Sequence, residues 1–294
     1  MTAVDPAELY VGERRRLLGV AYRLLGSMSD AEDVLQDVFE RWIGADRSTI
    51  DNPAAYLTTM TTRASLDRLR SARAQREVYT GPWLPEPVRT DDDGPAAMAE
   101  LDESLTIGYL HLMEQLTPYE RAAHLLHDVY EFSFREVAAM LDKDEAHCRQ
   151  LASRGRSKLR ALRPEPGHSE TSNDDLAVCR RLVDAILSAD IDEVKLVLTA
   201  DVVHISDGGP DHRAARLPVV GPDRVARLFV NLAARMVDRA PGALEFGFEL
   251  INERAALVVS HEGVPFQVFS IETDGDRVRR IYGIVNPDKL AAIT

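Results

Sequence analysis

Cysteine and long apolar runs are both scarce in this chain of 294 residues. Its two cysteines, Cys148 and Cys179, provide neither a disulfide framework nor zinc-ligand spacing, which favours a reducing compartment. No uninterrupted apolar run approaches the roughly 18 residues of a membrane span. The N-terminal residues also lack the apolar centre of a signal peptide. The sequence therefore predicts a cytoplasmic protein without a membrane segment.

Basic residues are in the minority, with 35 Lys and Arg against 48 Asp and Glu and a formal charge of -13. That balance argues weakly against nonspecific binding to nucleic acid, yet the cations are concentrated. Residues 63–76 carry a net charge of +4 and residues 149–163 carry +6, whereas residues 91–103 carry -6. Two cationic segments separated by an anionic one indicate local nucleic-acid contacts on an acidic protein.

Helix-start signals recur through the first 163 residues. A capping residue followed by Glu or Pro marks each start. The pairs are Ser29 with Glu32, Asn52 with Pro53, Thr117 with Glu120, and Ser133 with Glu136. A final helix over about 145–162 places one apolar face at Cys148, Leu151, Ala152, Gly155, Leu159 and Leu162. Two short helices joined by a tight turn, the second one basic, predict a helix-turn-helix.

Proline, glycine and polar residues concentrate at 81–95 and 164–174, and we interpret both segments as linkers. Beyond the second linker, a helix precedes runs of alternating apolar and polar residues. Turn signals interrupt these runs at 207–209 and 274–275. This part of the chain predicts an α+β domain with a curved antiparallel sheet and helices on one side.

The last basic helix has the chemistry of a helix that enters the DNA major groove. Duplex DNA is a dense row of phosphates, so such a helix presents cations. Near its start, Gln can pair with adenine, Arg with guanine, and Glu can accept from cytosine. We expect DNA contacts from Glu145, His147, Arg149, Gln150, Ser153, Arg154 and Arg156. The alternative is a solvated basic face that binds nothing.

A helix near the N-terminus has the opposite charge. Acidic and amide side chains recur there at helical spacing, at Glu32, Asp33, Gln36, Asp37 and Glu40. One buried apolar stripe does not require both aromatic side chains, Phe39 and Trp42. They could therefore anchor a basic protein partner. On these residues alone, an ordinary solvated surface over a core stripe is an equal alternative.

The order of these parts resembles an extracytoplasmic-function sigma factor of bacterial RNA polymerase. "AYRLLGSMSDAEDVLQDVFERW" resembles the region-2 segment that binds the polymerase clamp helices, and "NPAAYLTTMTTRASLDRLRSARAQRE" resembles the helices that melt and read the minus-10 element. Residues 120–162 resemble the region-4 module that reads the minus-35 element. "GPWLPEP", "VVHISDGG", "VVGPDRVARLF" and "YGIVNPDKL" are similar to the SigJ-like group, which carries a C-terminal SnoaL-like domain. Pro210 stands where that group usually has a third glycine.

The resemblance implies a protein that is not an enzyme and needs no cofactor or metal. It implies two all-α sigma domains, a region-2 bundle and a region-4 helix-turn-helix, followed by the α+β SnoaL-like domain. The expected bounds are region 2 at 1–78, an acidic linker at 79–103, region 4 at 104–164, a linker at 165–173, and the C-terminal domain at 174–294. The expected partners are the clamp helices of the largest subunit of core RNA polymerase, promoter DNA, and a small-molecule effector in the C-terminal domain.

Position by position, the resemblance implies three further sets of residues. The polymerase-binding set is Asp30, Glu32, Asp33, Gln36, Asp37, Phe39 and Trp42. The minus-10 set is Thr61, Thr62, Arg63, Asp67, Arg68 and Arg70. The regulatory set is Trp83, Leu84, Pro85, Asp207, Gly208, Gly209, Asn286, Pro287, Asp288 and Lys289. We hypothesise that the C-terminal domain packs against the region-2 domain and its linker and tunes promoter binding in cis.

Three alternatives stay open. The C-terminal domain could sense a small molecule, or act as an isomerase or cyclase through His204, Asp207, Asp211, His212 and His261. The chain could be a plain promoter-binding repressor or activator, which leaves the acidic helix unexplained. A metal could bind at His124, His127, His147 and Cys148, but the spacing suggests no third ligand, and Cys148 fits better as a small core residue.

Overall fold

The computed structural model describes residues 5–46, 48, 50–76, 79, 81–90, 105–162, 173–210, 214–239 and 244–293. Its internal contacts divide the chain into two units. The first unit comprises residues 1–78, 97–105 and 109–164, and the second comprises residues 79–96, 106–108 and 165–294. The proline-rich linker segment therefore belongs to the same unit as the C-terminal domain.

The first unit is built from helices. They are α1 (Pro6–Leu25), α2 (Met28–Gly44), α3 (Pro53–Arg76), α4 (Ile107–Met113, whose first two residues group with the second unit), α5 (Pro118–His124), α6 (Phe134–Leu141) and α7 (Glu145–Leu162). A π-helical turn, Leu125–Val129, continues α5. Across the described ranges, no helix is both long and apolar enough to cross a lipid bilayer.

The bend between α1 and α2 corrects one predicted helix start. Gly26 takes a left-handed conformation (φ 68°) and ends α1, where its N–H donates to Tyr22 O. Ser27 is then extended, and its side-chain oxygen accepts a 3.1 Å hydrogen bond from Asp30 N. The predicted cap, Ser29, is wrong, because α1 ends early enough for Ser27 to take the capping position.

The other predicted helix starts are confirmed. Asn52 Oδ1 accepts from Ala55 N at the start of α3, and Thr117 and Ser133 form complete capping boxes at α5 and α6. Helix α7 packs against α5 through Gly155, where an added Cβ would lie 3.3 Å from both Glu120 O and His124 Cβ. The predicted apolar face of α7 is confirmed except at Leu162, which is 44% exposed because it lies at the end of the helix.

The second unit is an α+β domain, as predicted. Its elements are α8 (Asn173–Leu187), α9 (Ile191–Val197), β1 (Leu198–Asp207), β2 (Val219–Val220), α10 (Pro222–Arg239), β3 (Leu244–Ile251), β4 (Arg254–His261), β5 (Val264–Asp274), β6 (Arg277–Ile284) and α11 (Pro287–Leu290). The strand order is β2-β1-β6-β5-β4-β3. The sequence predicted a purely antiparallel sheet, and this prediction is wrong at one pairing. Strands β1 and β6 run parallel, because the chain crosses over between them.

The two faces of this sheet carry separate apolar clusters, since side chains alternate along a strand. On β4, Ala255 and Val259 face the cluster that includes α8 and α10, whereas Ala256 and Val258 face the other cluster. We call these the helix face and the linker face. The linker face includes Leu84, which comes from the predicted linker and is fully buried.

Candidate nucleic-acid interface and linker groove

Helix α7 presents most of the predicted minus-35 residues to solvent on one side. His147, Arg149, Gln150, Ser153 and Arg154 are exposed, and the opposite side of the helix is buried. Asp144 Oδ1 accepts from His147 N at 2.7 Å and so caps the first turn. The exposed side is polar and cationic, which suits phosphate and base-edge contacts.

Two of the predicted minus-35 residues are half-buried and paired within the protein. Glu145 forms an ion pair with Arg149 one turn away. Arg156 pairs with Asp128 at 2.5 Å, and Asp128 also pairs with His124 at 2.6 Å. The Glu145–Arg149 pair lies within α7, whereas the Arg156–Asp128 pair joins α7 to the π-helical turn that continues α5. Arg156 therefore has a structural partner as well as its predicted DNA role.

Helix α2 exposes the predicted acidic surface. Glu32, Asp33, Gln36 and Asp37 are exposed and Asp30 is half-buried. Arg68 of α3 donates to Asp30 Oδ1 at 2.7 Å and to Asp33 Oδ2 at 2.8 Å. The acidic surface and the first basic segment therefore meet at Arg68, a member of the predicted minus-10 set.

Trp42 is a correction to the predicted polymerase-binding set. Its side chain is 1% exposed, and its indole Nε1 donates to Pro6 O at 2.8 Å. Trp42 thus belongs to the core between α1, α2 and α3, because it lies on the same side of α2 as Val38. Phe39 lies on the other side and is 36% exposed, with its ring 4.9 Å from that of Tyr10.

The α3 surface predicted to meet the minus-10 element is partly covered by α6. Arg63 donates from Nε to Met140 O and from Nη2 to Ala139 O, both at 2.9 Å. Thr61 and Thr62 are fully buried, and their hydroxyls find no hydrogen-bond partner in the part of the chain that the structure describes. As packed here, these two threonines are not accessible, and their contact with the minus-10 element stays a prediction.

The remaining minus-10 residues, Asp67, Arg68 and Arg70, are exposed. Arg70 contacts the Tyr119 hydroxyl of α5 and stacks over its ring with a separation of 4.9 Å. Lys143 also approaches this ring, with Nζ 4.0 Å from the centroid. Tyr119 is therefore shared between cations of the region-2 and region-4 helices.

Two buried arginines, Arg23 of α1 and Arg121 of α5, also join the two groups of helices, and neither was among the predicted residues. Arg23 Nη1 donates to the Tyr130 hydroxyl at 3.0 Å, and Arg121 Nε donates to Arg23 O at 3.2 Å. Both side chains are at most 1% exposed, and Arg121 also pairs with Glu114. The only sequence signal is a lone Arg at position 23 inside an apolar stretch of α1.

In the second unit, Asp207 at the end of β1 binds the linker. Its Oδ2 accepts from Leu84 N at 2.8 Å and from Lys289 Nζ at 2.6 Å. Lys289 also donates to Leu84 O and lies 3.9 Å from the centre of the Trp83 ring. Asp207 is fully buried and Lys289 nearly so. Leu84 therefore has both of its backbone polar groups bonded to one buried ion pair.

Tyr79 and Asn286 complete this cluster. The Tyr79 hydroxyl contacts Asp207 and accepts from Asn286 Nδ2 at 3.1 Å. Burial, followed by the hydrogen bond to the Asp207 carboxylate, raises the pKa of Tyr79 above its ordinary value. Gly209 has φ 66° and donates to Asp207 Oδ1 at 3.0 Å, and an added Cβ there would lie 2.8 Å from the Asn286 side chain. A glycine is therefore required at 209.

The other predicted regulatory residues lie around the same cluster. Pro85 and Gly208 are buried, whereas Pro287 and Asp288 are exposed in the first turn of α11. Asn286 caps that helix by accepting from Asp288 N at 3.2 Å. Lys289, which follows this exposed pair in the same helix, is buried.

Further along the linker, residues 88–90 add to the edge of the domain. Val88 N donates to Asn252 Oδ1 at 2.9 Å, and Asn252 N donates back to Val88 O at 2.8 Å. Arg89 pairs with Glu249 at 2.7 Å. Sequence reasoning missed Tyr79, Asn252 and Glu249, because no local pattern relates them to the linker. We call the surface that holds residues 79–90 the linker groove.

Of the residues considered for catalysis, the structure describes His204, Asp207 and His261, and the two on β1 do not converge. His204 and Asp207 are three positions apart on β1, so they point to opposite faces of the sheet. His204 is buried against Phe229 and Phe269, and burial lowers its pKa to about 4. His261 is half-buried on β4, and Asp211 and His212 lie outside the described residues. Asp207 is engaged by the linker and Lys289.

Two of the three histidines considered for metal binding, His124 and His127, have other side-chain partners. His124 bonds through Nε2 to the Tyr109 hydroxyl at 2.7 Å and through Nδ1 to Asp128. His127 Nδ1 bonds to Phe132 O at 2.8 Å, and its ring stacks on Phe134. No cluster of three ligand-type side chains fit for a metal occurs among the described residues. Cys148 is fully buried, and burial raises its thiol pKa.

Comparison with known proteins shows which family carries this combination of surfaces. Residues 9–75 match the family model "Sigma-70 region 2", and residues 108–159 match "Sigma-70, region 4". These matches define a sigma-70-type transcription initiation factor, with α1–α3 as region 2 and α4–α7 as region 4.

Relatives that match almost the whole chain define a narrower class of sigma factor. The chain is similar to the ECF RNA polymerase sigma factor SigJ of Mycobacterium tuberculosis, at 36% identity over 94% of this chain and 90% of that protein. It is also similar to the probable ECF sigma factor SigI of the same species, at 27% identity over 99% and 97% of the two chains. The crystal structure of M. tuberculosis SigJ matches with a TM-score of 0.77 and 32% identity, over 98% of this chain and 99% of that one.

The chain therefore belongs to the extracytoplasmic-function sigma factors. It is an alternative sigma factor, and its partners are core RNA polymerase and promoter DNA. The match to SigJ includes the C-terminal α+β domain, so both chains share the same order of domains.

Proposed function

We propose that the C-terminal domain regulates this sigma factor in cis by holding the linker between its two DNA-reading regions. The observation that supports this is the bonding of Leu84 to the buried Asp207–Lys289 pair in the linker groove. A linker that is held at residues 79–90 has less freedom, which limits the separations and orientations that regions 2 and 4 can adopt. The protein then works where core RNA polymerase is, in the cytoplasm.

The roles of the DNA and polymerase surfaces belong to the same proposal. The exposed side of α7 reads the minus-35 element, the acidic side of α2 binds the polymerase clamp, and α3 meets the minus-10 element. Arg63 is exposed, but its guanidinium is bonded to two carbonyl oxygens of α6, and Thr61 and Thr62 are fully buried among the helices that pack on α3. Arg63 must therefore release α6, and the helices around the two threonines must open, before these three side chains can meet DNA.

A variant in the linker tests regulation without changing any residue of the C-terminal domain. Leu84→Asp places a charge in the apolar cluster of the linker face, which expels the linker from its groove. In transcription with core polymerase, full-length L84D is expected to behave like a chain truncated after residue 163. Arg89→Ala is the matched control, because its half-exposed ion pair with Glu249 is worth at most about 1 kcal/mol.

The result that would remove the regulatory proposal is wild-type transcription by both L84D and the truncated chain. The sigma-factor assignment would survive that result, because it depends on assembly of a holoenzyme. A pull-down with core RNA polymerase separates the two questions.

The packing of α6 on α3 is tested by a separate variant. Tyr119→Ala removes the aromatic ring that Arg70 and Lys143 share, and each such contact is worth about 0.5–1 kcal/mol at an exposed site. Opening should become easier, and binding of a minus-10 DNA fragment should tighten by up to roughly tenfold. Tyr56→Ala, a tyrosine of α3 whose ring neighbour is Trp42, is the control and should leave the affinity unchanged. Equal affinities for Y119A and wild type would contradict the need for opening.

A further inference from the structure

The second unit contains a cavity on the helix face of its sheet. The cavity lies between α8, α10 and strands β3–β6, and it encloses about 640 Å³ of atom-free space including its open mouth. The centre of a water-sized sphere can move through about 60 Å³ of it. One water needs about 10–15 Å³ by that measure, so the space exceeds an ordinary packing defect.

Every side chain that lines this cavity is uncharged and almost all are hydrocarbon. Phe229 and Met236 come from α10, Phe246 from β3 and Phe269 from β5. The one thiol is that of Cys179, and burial raises its pKa to about 12, so it stays neutral. A dry apolar cavity offers an ionised or strongly polar ligand nothing to replace its hydration.

The depth of the cavity favours a small molecule over a protein segment. Its floor is formed by Val259, Ile271 and Ile281, each at most 2% exposed. Leu187 and Phe246 at the lining are 49% and 37% exposed, so the wall reaches solvent. Because the floor is almost fully buried, the opening to it must be narrow. Such an opening admits a small molecule and excludes a polypeptide segment.

We propose that this cavity is a binding site for an uncharged, apolar small molecule of hydrocarbon type, aromatic or aliphatic. The flexible thioether of Met236 adapts the wall to ligands of different outline. The cavity is on the opposite face of the sheet from the linker groove, so binding does not depend on the proposed regulation. No residue of the described part of the cavity wall could act as a general acid or base at neutral pH, which makes this a binding site without turnover.

The test uses the full chain and a fluorescent probe, 1-naphthylamine, which is uncharged at pH 7.5. The structure predicts saturable binding with a dissociation constant on the order of 100 µM or tighter for a ligand of this size. Naphthalene and 1-octanol should displace the probe. Naphthalene-1-sulfonate, which has the same rings and a fixed charge, should compete at least tenfold more weakly.

A matched pair of variants on α10 locates the site. Ala233 lines the cavity and Ala234 beside it is exposed. Ala233→Phe fills the cavity and should weaken probe binding at least tenfold, whereas Ala234→Phe should leave it unchanged. If A233F does not fold, the smaller Ala233→Leu serves the same purpose.

Three outcomes would overturn the proposal: no saturable binding, equal binding by A233F and A234F, or equal competition by the sulfonate. Because all readouts are binding measurements, a failure here leaves the transcription tests of L84D untouched.

Discussion

Replacing Asp207 by Ala should be among the most damaging single changes in the second unit. The variant leaves the Lys289 ammonium nearly buried without its carboxylate, and it removes the acceptor of Leu84 N and Gly209 N. Breaking one side of a buried ion pair costs about 3–5 kcal/mol. Lys289 keeps Leu84 O and the Trp83 ring as partners, so we expect a loss of about 3 kcal/mol in the free energy of unfolding.

Thermal unfolding and amide hydrogen exchange measure this loss. A loss of about 3 kcal/mol lowers the melting temperature of a domain of this size by on the order of 10 °C. The amides of Leu84 and Val88 should exchange faster, because both donate to side chains of the linker groove. Asp201→Ala on the same strand is the control: its exposed pair with Arg279 is worth at most about 1 kcal/mol.

A double variant separates stability from linker release. Asp207→Leu with Lys289→Met replaces both charges by apolar groups of similar size, which is often nearly neutral for stability. The domain should recover much of its melting temperature while Leu84 N stays exchangeable. If D207A melts no lower than D201A, or if Leu84 N stays protected in D207A, the buried pair does not hold the linker and the reasoning fails.

Three further predictions concern the helices and the buried histidine. Burial lowers the pKa of His204 to about 4, so its imidazole is neutral in the fold. The stability that depends on the neutral form is complete above about pH 6.5 and is lost as the pH falls towards 4. In denaturant titrations between pH 7.5 and 5.5, the free energy of unfolding of wild type should fall by roughly 1 kcal/mol more than that of His204→Gln. Gly155→Val should destabilise region 4 by about 1–3 kcal/mol, measured by chemical unfolding, because an added Cβ would already lie 3.3 Å from Glu120 O and His124 Cβ and the two methyl groups of Val need more space; an unchanged midpoint would contradict that packing. Gln150→Ala should relax sequence preference at one minus-35 base pair by about 1–3 kcal/mol in competition binding, whereas Ser157→Ala, also exposed on α7, should not.

The sequence predicted what depends on neighbours along the chain. Capping chemistry located the starts of α3, α5 and α6, and helical spacing identified the buried side of α7. The same spacing could not show how many neighbouring helices pack against a given helix. Trp42 and Thr62 are buried because α2 and α3 each pack against more than one neighbour, which a single helix pattern does not encode.

Contacts between distant segments were beyond reach from the residues alone. Nothing near Leu84 shows that it meets Asp207 or Lys289, and only the resemblance to a known group placed them in one regulatory set. Tyr79 was not in that set, although it bonds directly to Asn286, and neither was Asn252, which bonds to Val88 of the same linker. The parallel pairing of β1 with β6 was missed for the same reason, since alternation along a strand is identical in both pairing modes.

The alternation along β6 places two proposed sites back to back. Ile281 forms part of the cavity floor, and the next residue, Tyr282, belongs to the cluster that receives Leu84. A single backbone therefore separates the cavity that we propose as a ligand site from the groove that we propose as the holder of the linker.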